Sequence, residues 1–201
     1  MTVARPGRPR SPECDQAIVD AALAVFADEG YDGFTIEAVA ARAGVGKATV
    51  YRRYPGKAEL IVRAVSCLTS AEVPEPDTGS LRGDLAFVAH HLVHLLTRTV
   101  AGRCVPQLAV ALPRSRALAR EHRRFLAERR AVTRGVVERA ITRGDVAPDT
   151  DPEIVTDLVV GPLFYRHLVS GAPLTDAYAD EVVDSVVAAR AASAPVGAAR
   201  G

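Results

Sequence analysis

Between residues 42 and 57 the chain sets Arg42, Lys47, Arg52, Arg53 and Lys57 without one carboxylate among them, and interleaves Tyr51 and Tyr54. Amines and guanidiniums at this density suit phosphate oxygens. Lys47 also suits the acceptors on a guanine edge, and Ala48 and the methyl of Thr49 suit a thymine methyl. The chain has only two lysines, and both lie in this segment. With a net charge of +1 the protein is not basic as a whole, so any nucleic-acid surface must be local.

Such side chains need a rigid support, and the flanking residues supply one. Thr35 can cap a helix, its hydroxyl accepting from an orphan backbone N–H, and Ile36, Val39, Ala40 and Ala43 then line one apolar face. Gly44 follows where a left-handed residue must stop that helix. Val45 plugs the angle between helices, and a second helix starts near Gly46 or Lys47. Pro55-Gly56 ends it, because Pro cannot extend the hydrogen-bond ladder, and a third helix starts at Lys57 and carries Leu60, Ile61 and Val65. Residues 35–54 therefore read as a helix-turn-helix, the unit that lays its second helix in a DNA major groove. Val50 belongs to the core. Adjacent helical residues point about 100° apart, so Arg52 and Arg53 cannot both enter a groove, though either adds a base or phosphate contact.

Upstream, Ile18, Ala22, Val25 and Phe26 form a helical stripe that stops at Gly30. The order is then Gly30-Tyr31-x-Gly33-Phe34-Thr35, Ala43-Gly44-Val45-x-x-x-Thr49-Val50-Tyr51 and Tyr54-Pro55-x-Lys57-x-Glu59-Leu60. This resembles the N-terminal domain of the TetR family of bacterial transcription regulators over roughly residues 13 to 66. The resemblance implies that Lys57 holds a phosphate, that the polar end of Tyr54 meets the DNA backbone, and that Thr35 contacts phosphate at a helix N-terminus. It also turns Lys47, Ala48, Thr49 and Tyr51 toward the groove. A hairpin that merely packs would leave this basic cluster around tyrosines without a purpose.

Residues 1–12 read as a flexible basic arm, since Arg5-Pro-Gly-Arg-Pro-Arg10 cannot be helical. Arg5, Arg8 and Arg10 either enter an adjacent minor groove, as the AT-hook-like Gly-Arg-Pro suggests, or add general phosphate attraction. The DNA-binding part is expected over 13–71. Glu72 to Ser80, rich in Pro and acid, is a connector. A helical effector-binding and dimerisation part follows over 80–193, and 194–201 forms a disordered tail. Cys14, Cys67 and Cys104 are odd in number, widely spaced and without a Cys-x-x-Cys, so neither zinc nor a disulfide framework is expected and a reducing cytoplasm is the natural home. No charged segment at the start is followed by the apolar core of a secretory signal, and no apolar run reaches the ~18 residues needed to span a bilayer. No cofactor is implied.

Beyond the connector the pattern stays helical, and no period-two strand run survives, so the fold class is all-α. Leu81, Leu85, Val88, Leu92, Leu95 and Leu96 predict a helix ending near Gly102. Val105 to Leu112 reads as a short apolar segment closed by Pro113. A long helix runs from Ser115 to about Arg143, and the last two run over 154–169 and 177–192. Gly144-Asp-Val-x-Pro-x-x-Asp-Pro-Glu153 and Gly161-Pro-Leu-Phe-Tyr-Arg166 look like one group of TetR regulatory domains. By that resemblance the last two helices pair with a second copy while the middle ones surround an effector pocket. Val155, Leu158, Val159, Pro162, Leu163, Val182, Val183, Val186 and Val187 are more apolar surface than two short helices can hide, which is a physical reason to expect a homodimer.

Phe87, His90, His91, His94, Phe125, Phe164 and Tyr165 are the candidate pocket lining. His90 and His94 sit one turn apart, but two imidazoles without a third ligand make no metal site. Ten arginines against three glutamates over 114–143, and seven acids against three arginines over 151–201, leave two readings. The basic helix lines a site for an anionic effector, or it is compensated by the acidic end of its own chain or its partner's. An all-α enzyme lacks support, with no nucleophile elbow, glycine-rich phosphate loop or metal signature. A non-specific architectural DNA-binding protein would use the same charges but needs no large apolar second part. The resemblance implies repression of a near-palindromic operator, relieved by a small-molecule effector.

Overall fold

The computed structural model describes residues 12–70 and 75–191. These form α1 (Pro12–Gly33), α2 (Ile36–Ala43), α3 (Lys47–Arg53), α4 (Lys57–Ser70), α5 (Leu81–Arg98), α6 (Ala101–Ala111), α7 (Arg116–Arg143), α8 (Pro152–Tyr165) and α9 (Asp176–Ala191). A 3-10 turn, Leu112–Arg114, leads into α7, and a π turn, Arg166–Ser170, prolongs α8. No strand occurs among the described residues, and the all-α expectation holds. The arm arginines and the tail after Ala191 lie outside them, as does part of the connector. No helix is long and apolar enough to cross a membrane among the described residues.

Two cores organise the chain. In the first, Ile18, Phe26, Val39, Val50, Leu60 and Ile61 of the first four helices, with Phe34 between α1 and α2, pack together with Cys104, Leu108 and Ala111 of α6 and Leu118 of α7. Phe26 and Phe34 meet edge to face with centroids 6.3 Å apart. Each such large side chain, fully withdrawn from water, stabilises by about 1.5–3 kcal/mol. The second core joins α5, the end of α7, α8 and α9 through Leu85, Val136, Val137, Val155, Val159, Leu163 and Val183. The helix-turn-helix is thus built onto α6 and the start of α7, not hung from a linker.

Gly30 breaks α1 with φ of 66°, a left-handed conformation that favours glycine, and the Gln107 amide of α6 sits against it, 2.7 Å from where a Cβ would be.

The sequence misjudged one junction. The helix from Leu81 stops at Arg98, not near Gly102. Thr97 and Thr99 hydroxyls donate to the carbonyls of Val93 and Leu95 at 2.8 and 2.7 Å, and Thr99 Oγ1 accepts from Ala101 N at 3.1 Å. These bonds satisfy the end of one helix and start another. Gly102 sits inside α6, where a Cβ would overlap the Leu96 carbonyl oxygen. The stretch read as a short apolar segment is the body of that helix, which passes through Pro106.

Candidate nucleic-acid interface

The helix-turn-helix is framed by three local devices. Thr35 caps α2, its Oγ1 accepting from Ala38 N at 3.1 Å. Gly44 ends that helix at φ 65°, ψ 29°, with its N–H reaching the Ala41 carbonyl at 3.3 Å and Val45 N reaching Ala40 O at 3.0 Å. That paired bonding satisfies two orphan carbonyls and needs a left-handed residue. Gly46 then opens α3, and Tyr54 N closes it on Val50 O at 2.9 Å.

On this frame α3 has two unlike faces. Val50 is wholly buried and roots the helix in the first core. Arg53 is drawn to the same side: its guanidinium pairs with Asp15 of α1 and donates to Thr49 O at 3.5 Å, and its side chain is only 12% exposed. Arg53 therefore clamps α3 to α1, and the geometric rule that only one of the two arginines can face a groove selects Arg52, which is exposed. Lys47, Ala48 and Tyr51 share the solvent side with it, and Thr49 is half-buried.

Lys47 is not idle. Its ammonium pairs with Glu37 of α2 and lies 5.8 Å from the Tyr51 ring centroid. The hydrogen bond from Lys47 holds the Glu37 carboxyl below its usual range, and the same bond raises the Lys47 ammonium. Both groups are in open solvent, so phosphate or a base can displace the carboxylate at small cost.

Lys57 and Tyr54 border this face. Lys57 opens α4, and burial lowers its ammonium against a smaller opposing pull from Asp32. Tyr54 is half-buried, and burial raises its phenol, with Asp15 adding to the effect. Thr35 stands exposed at the N-terminus of α2, its hydroxyl held by the cap.

A bacterial regulatory-protein model of the tetR family matches residues 18–64, and a tetracycline-repressor-like C-terminal domain model matches residues 75–186. The chain belongs to the TetR family. It is similar to the HTH-type transcriptional regulator YdeS of Bacillus subtilis, 35% identical over 178 residues that cover 88% of this chain and 89% of that one. The DNA-binding transcriptional repressor TetR of Mycobacteroides abscessus is 33% identical, with 85% and 90% covered. Among solved structures, the TetR family transcription regulator SCO0332 superposes with a TM-score of 0.69 at 29% identity, over 88% of this chain and 97% of the other. This TetR-family protein is a DNA-binding transcriptional regulator, not an enzyme.

In the regulatory half, the expected interface residues divide. Val155, Val159, Leu163 and Val183 are buried inside the subunit against α5 and α7, so they are not available to a second copy, whereas Val186, though largely buried, lines the groove between α8 and α9. For these four the expectation is corrected: apart from the acidic side carrying Glu153 and Asp157, α8 is apolar on both its inner and its groove face, and periodicity cannot say which of the two is inner. What stays open is the other face. Leu158 is 42% exposed and Ile154 48%, while Pro162 and Val182 are half-buried, as is Val187 at the margin of the second core. Leu158, Pro162, Tyr178, Val182 and Ala189 line a groove of about 360 Å³ between α8 and α9. Ile154 and Tyr178 were not among the expected interface residues, although Ile154 lies one turn before Leu158.

The seven candidate pocket residues also separate. His90 Nε2 meets Asp180 Oδ1 of α9 at 3.1 Å. His91 has a buried Nε2 without a hydrogen-bond partner among the described residues; burial lowers its imidazole, with His94 and Arg129 acting the same way. Phe125 lies 6.0 Å from both the His122 ring and the Arg129 guanidinium and packs on the first core. Phe87 and Tyr165 are exposed, and Phe164 is half-buried. The basic face of α7 is met by its own chain. Arg130 pairs with Glu153 at 2.5 Å and Asp157 at 2.6 Å, and Arg134 with Glu153 at 2.9 Å.

Proposed function

We propose that this TetR-family regulator is a ligand-responsive homodimeric repressor that acts in the cytoplasm on a near-palindromic operator. The observation that carries this reading is the two-sidedness of α3. Val50 and Arg53 lock one side, while Lys47, Ala48, Tyr51 and Arg52 are left to solvent on the other. A rigid helix with a free basic and aromatic face suits the major groove. Lys47 and Tyr51, with Ala48 and Thr49, read base edges; Thr35, Tyr54 and Lys57 grip phosphates around them, and Arg5, Arg8 and Arg10 strengthen the grip. The α8–α9 groove supports pairing, since its open apolar lining gains by meeting a copy of itself across a twofold axis. Two chains so joined present two α3 helices about one DNA turn apart.

Effector control then requires a small molecule that binds one dimer geometry better than the other; its differential affinity sets the response. The side chains around His91, with its unsatisfied buried nitrogen, are the part of the regulatory half best suited to receive a polar group. Replacing Tyr51 by Ala tests the reading. It should weaken binding to a selected operator more than to random-sequence duplex, and equal losses on both would contradict the base-reading role.

A further inference from the structure

The Lys57 ammonium lies 4.3 Å from the Tyr31 ring centroid and 6.0 Å from that of Phe34. Phe34 is sealed in the first core, whereas Tyr31 is half-buried and faces both ways. Its hydroxyl and Ser115 Oγ share a 2.9 Å hydrogen bond. Ser115 caps α7, accepting from Leu118 N at 3.3 Å. The neighbouring pair repeats the link: Arg114 Nη1 donates to Asp32 Oδ2 at 3.0 Å. Two consecutive residues at the end of α1 thus hold two consecutive residues where α7 begins, and the aromatic one also seats the lysine.

We infer that Tyr31 is a positioning residue that ties the phosphate-gripping ammonium of Lys57 to the N-terminus of α7, so that a shift of α7 against α1 changes DNA affinity through Lys57. The inference rests on the reading of Lys57 as a phosphate contact. A lysine carries its charge on a flexible four-carbon stem, and ordering it costs rotamer entropy. A ring face under the ammonium restricts that freedom before DNA arrives, and the attraction is directional. The hydroxyl decides where the ring sits, and it takes its place from Ser115. From there α7 runs unbroken to Val136, Val137 and Ala140 in the second core. A rearrangement in the regulatory half therefore reaches Tyr31 along one rigid helix.

The test uses the full chain and a labelled random-sequence duplex, titrated at several salt concentrations, with no effector. Tyr31→Leu should weaken binding about two- to tenfold per chain, the cost of immobilising a rotamer-rich side chain only when DNA arrives. Lys57→Gln should cost less in the Tyr31→Leu background than in the wild type. Ser115→Ala should weaken binding in the wild type and do nothing further in the Tyr31→Phe background, although it removes the α7 cap in both. Lysine-selective isotope labelling gives a second readout, because the protein has only two lysines. The ring-shifted ε-methylene signal of Lys57 should move on Ser115→Ala, and stay put when the same change is made in Tyr31→Phe.

If Lys57→Gln leaves affinity and salt slope unchanged, the phosphate reading is wrong and the inference falls with it. If Lys57→Gln weakens binding but the Tyr31 and Lys57 losses simply add, the inference alone is overturned. A Ser115→Ala effect of equal size in both backgrounds would remove the link to α7. Should Tyr31→Leu not fold, the Ser115 and Tyr31→Phe comparison and the lysine signal still decide.

Discussion

Arg52 and Arg53 are neighbours with the same chemistry, and the structure assigns them opposite consequences on removal. Arg53 gives its guanidinium to Asp15 and to Thr49 O with its side chain 12% exposed; Arg52 makes no side-chain hydrogen bond among the described residues. Truncating Arg53 to Ala removes a charge-assisted bond from a largely enclosed site, worth about 1.5–3 kcal/mol. For a chain of this length each kcal/mol moves the melting temperature by about 2–4 °C. A fall of roughly 3–12 °C follows from the product of the two ranges. Arg52→Ala should leave stability within about 0.5 kcal/mol. On DNA the order reverses: losing one phosphate contact reduces the slope of log affinity against log salt by about 0.9 per chain. The assay is thermal unfolding followed by circular dichroism, paired with salt-series titration of a labelled duplex for each variant. If Arg53→Ala melted like the wild type while its salt slope became shallower, the clamp would be fictitious and Arg53 would be the groove residue.

Three further outcomes follow from local geometry. Gly44→Ala should destabilise by about 1–2 kcal/mol, with no clash to blame because none of the described residues lies within 4 Å of an added Cβ; Gly44→Asn should recover part of the loss. Leu158→Glu should shift the protein from dimer to monomer in sedimentation velocity while the subunit stays folded by circular dichroism, since Leu158 lies outside the second core, and its melting temperature should fall only by the stabilisation that pairing supplied; an unchanged dimer would rule out the α8–α9 groove as the interface. The third concerns pH. Burial is the leading cause that lowers the imidazoles of His91 and His122, so the unfolded chain binds protons there before the folded one does. Their stabilising effect is complete above the ordinary histidine value near 6.5 and drains as pH falls through it and on to the depressed folded values. Urea midpoints should therefore drop between about pH 7.5 and about pH 5.5, and His91→Gln should flatten part of that drop.

The helix-turn-helix was legible in sequence because its signals are local. Thr35 caps, Gly44 stops and Pro55 terminates within a few residues of the atoms they serve, and all three act as read. The start of α7 at Ser115 and its end at Gly144 were legible for the same reason. The break at Arg98 was hidden, since it depends on threonine hydroxyls turning back on their own helix where sequence shows only continuing apolar spacing. Long-range partners were hidden too. That Arg53 seeks Asp15, thirty-eight positions away, has no local signature. Nor does the approach of Tyr31 to Ser115. The outer and inner faces of α8 could not be told apart because both are apolar, and only burial against α5 and α7 sorts Val155 from Leu158.

Selecting bound fragments from a pool of random duplexes, with purified protein at moderate ionic strength, tests the central claim most directly. Two paired α3 helices predict enriched fragments with inverted half-sites about one helical turn apart, centre to centre. Fragments enriched without symmetry, or a pool left as random as it began, would contradict it.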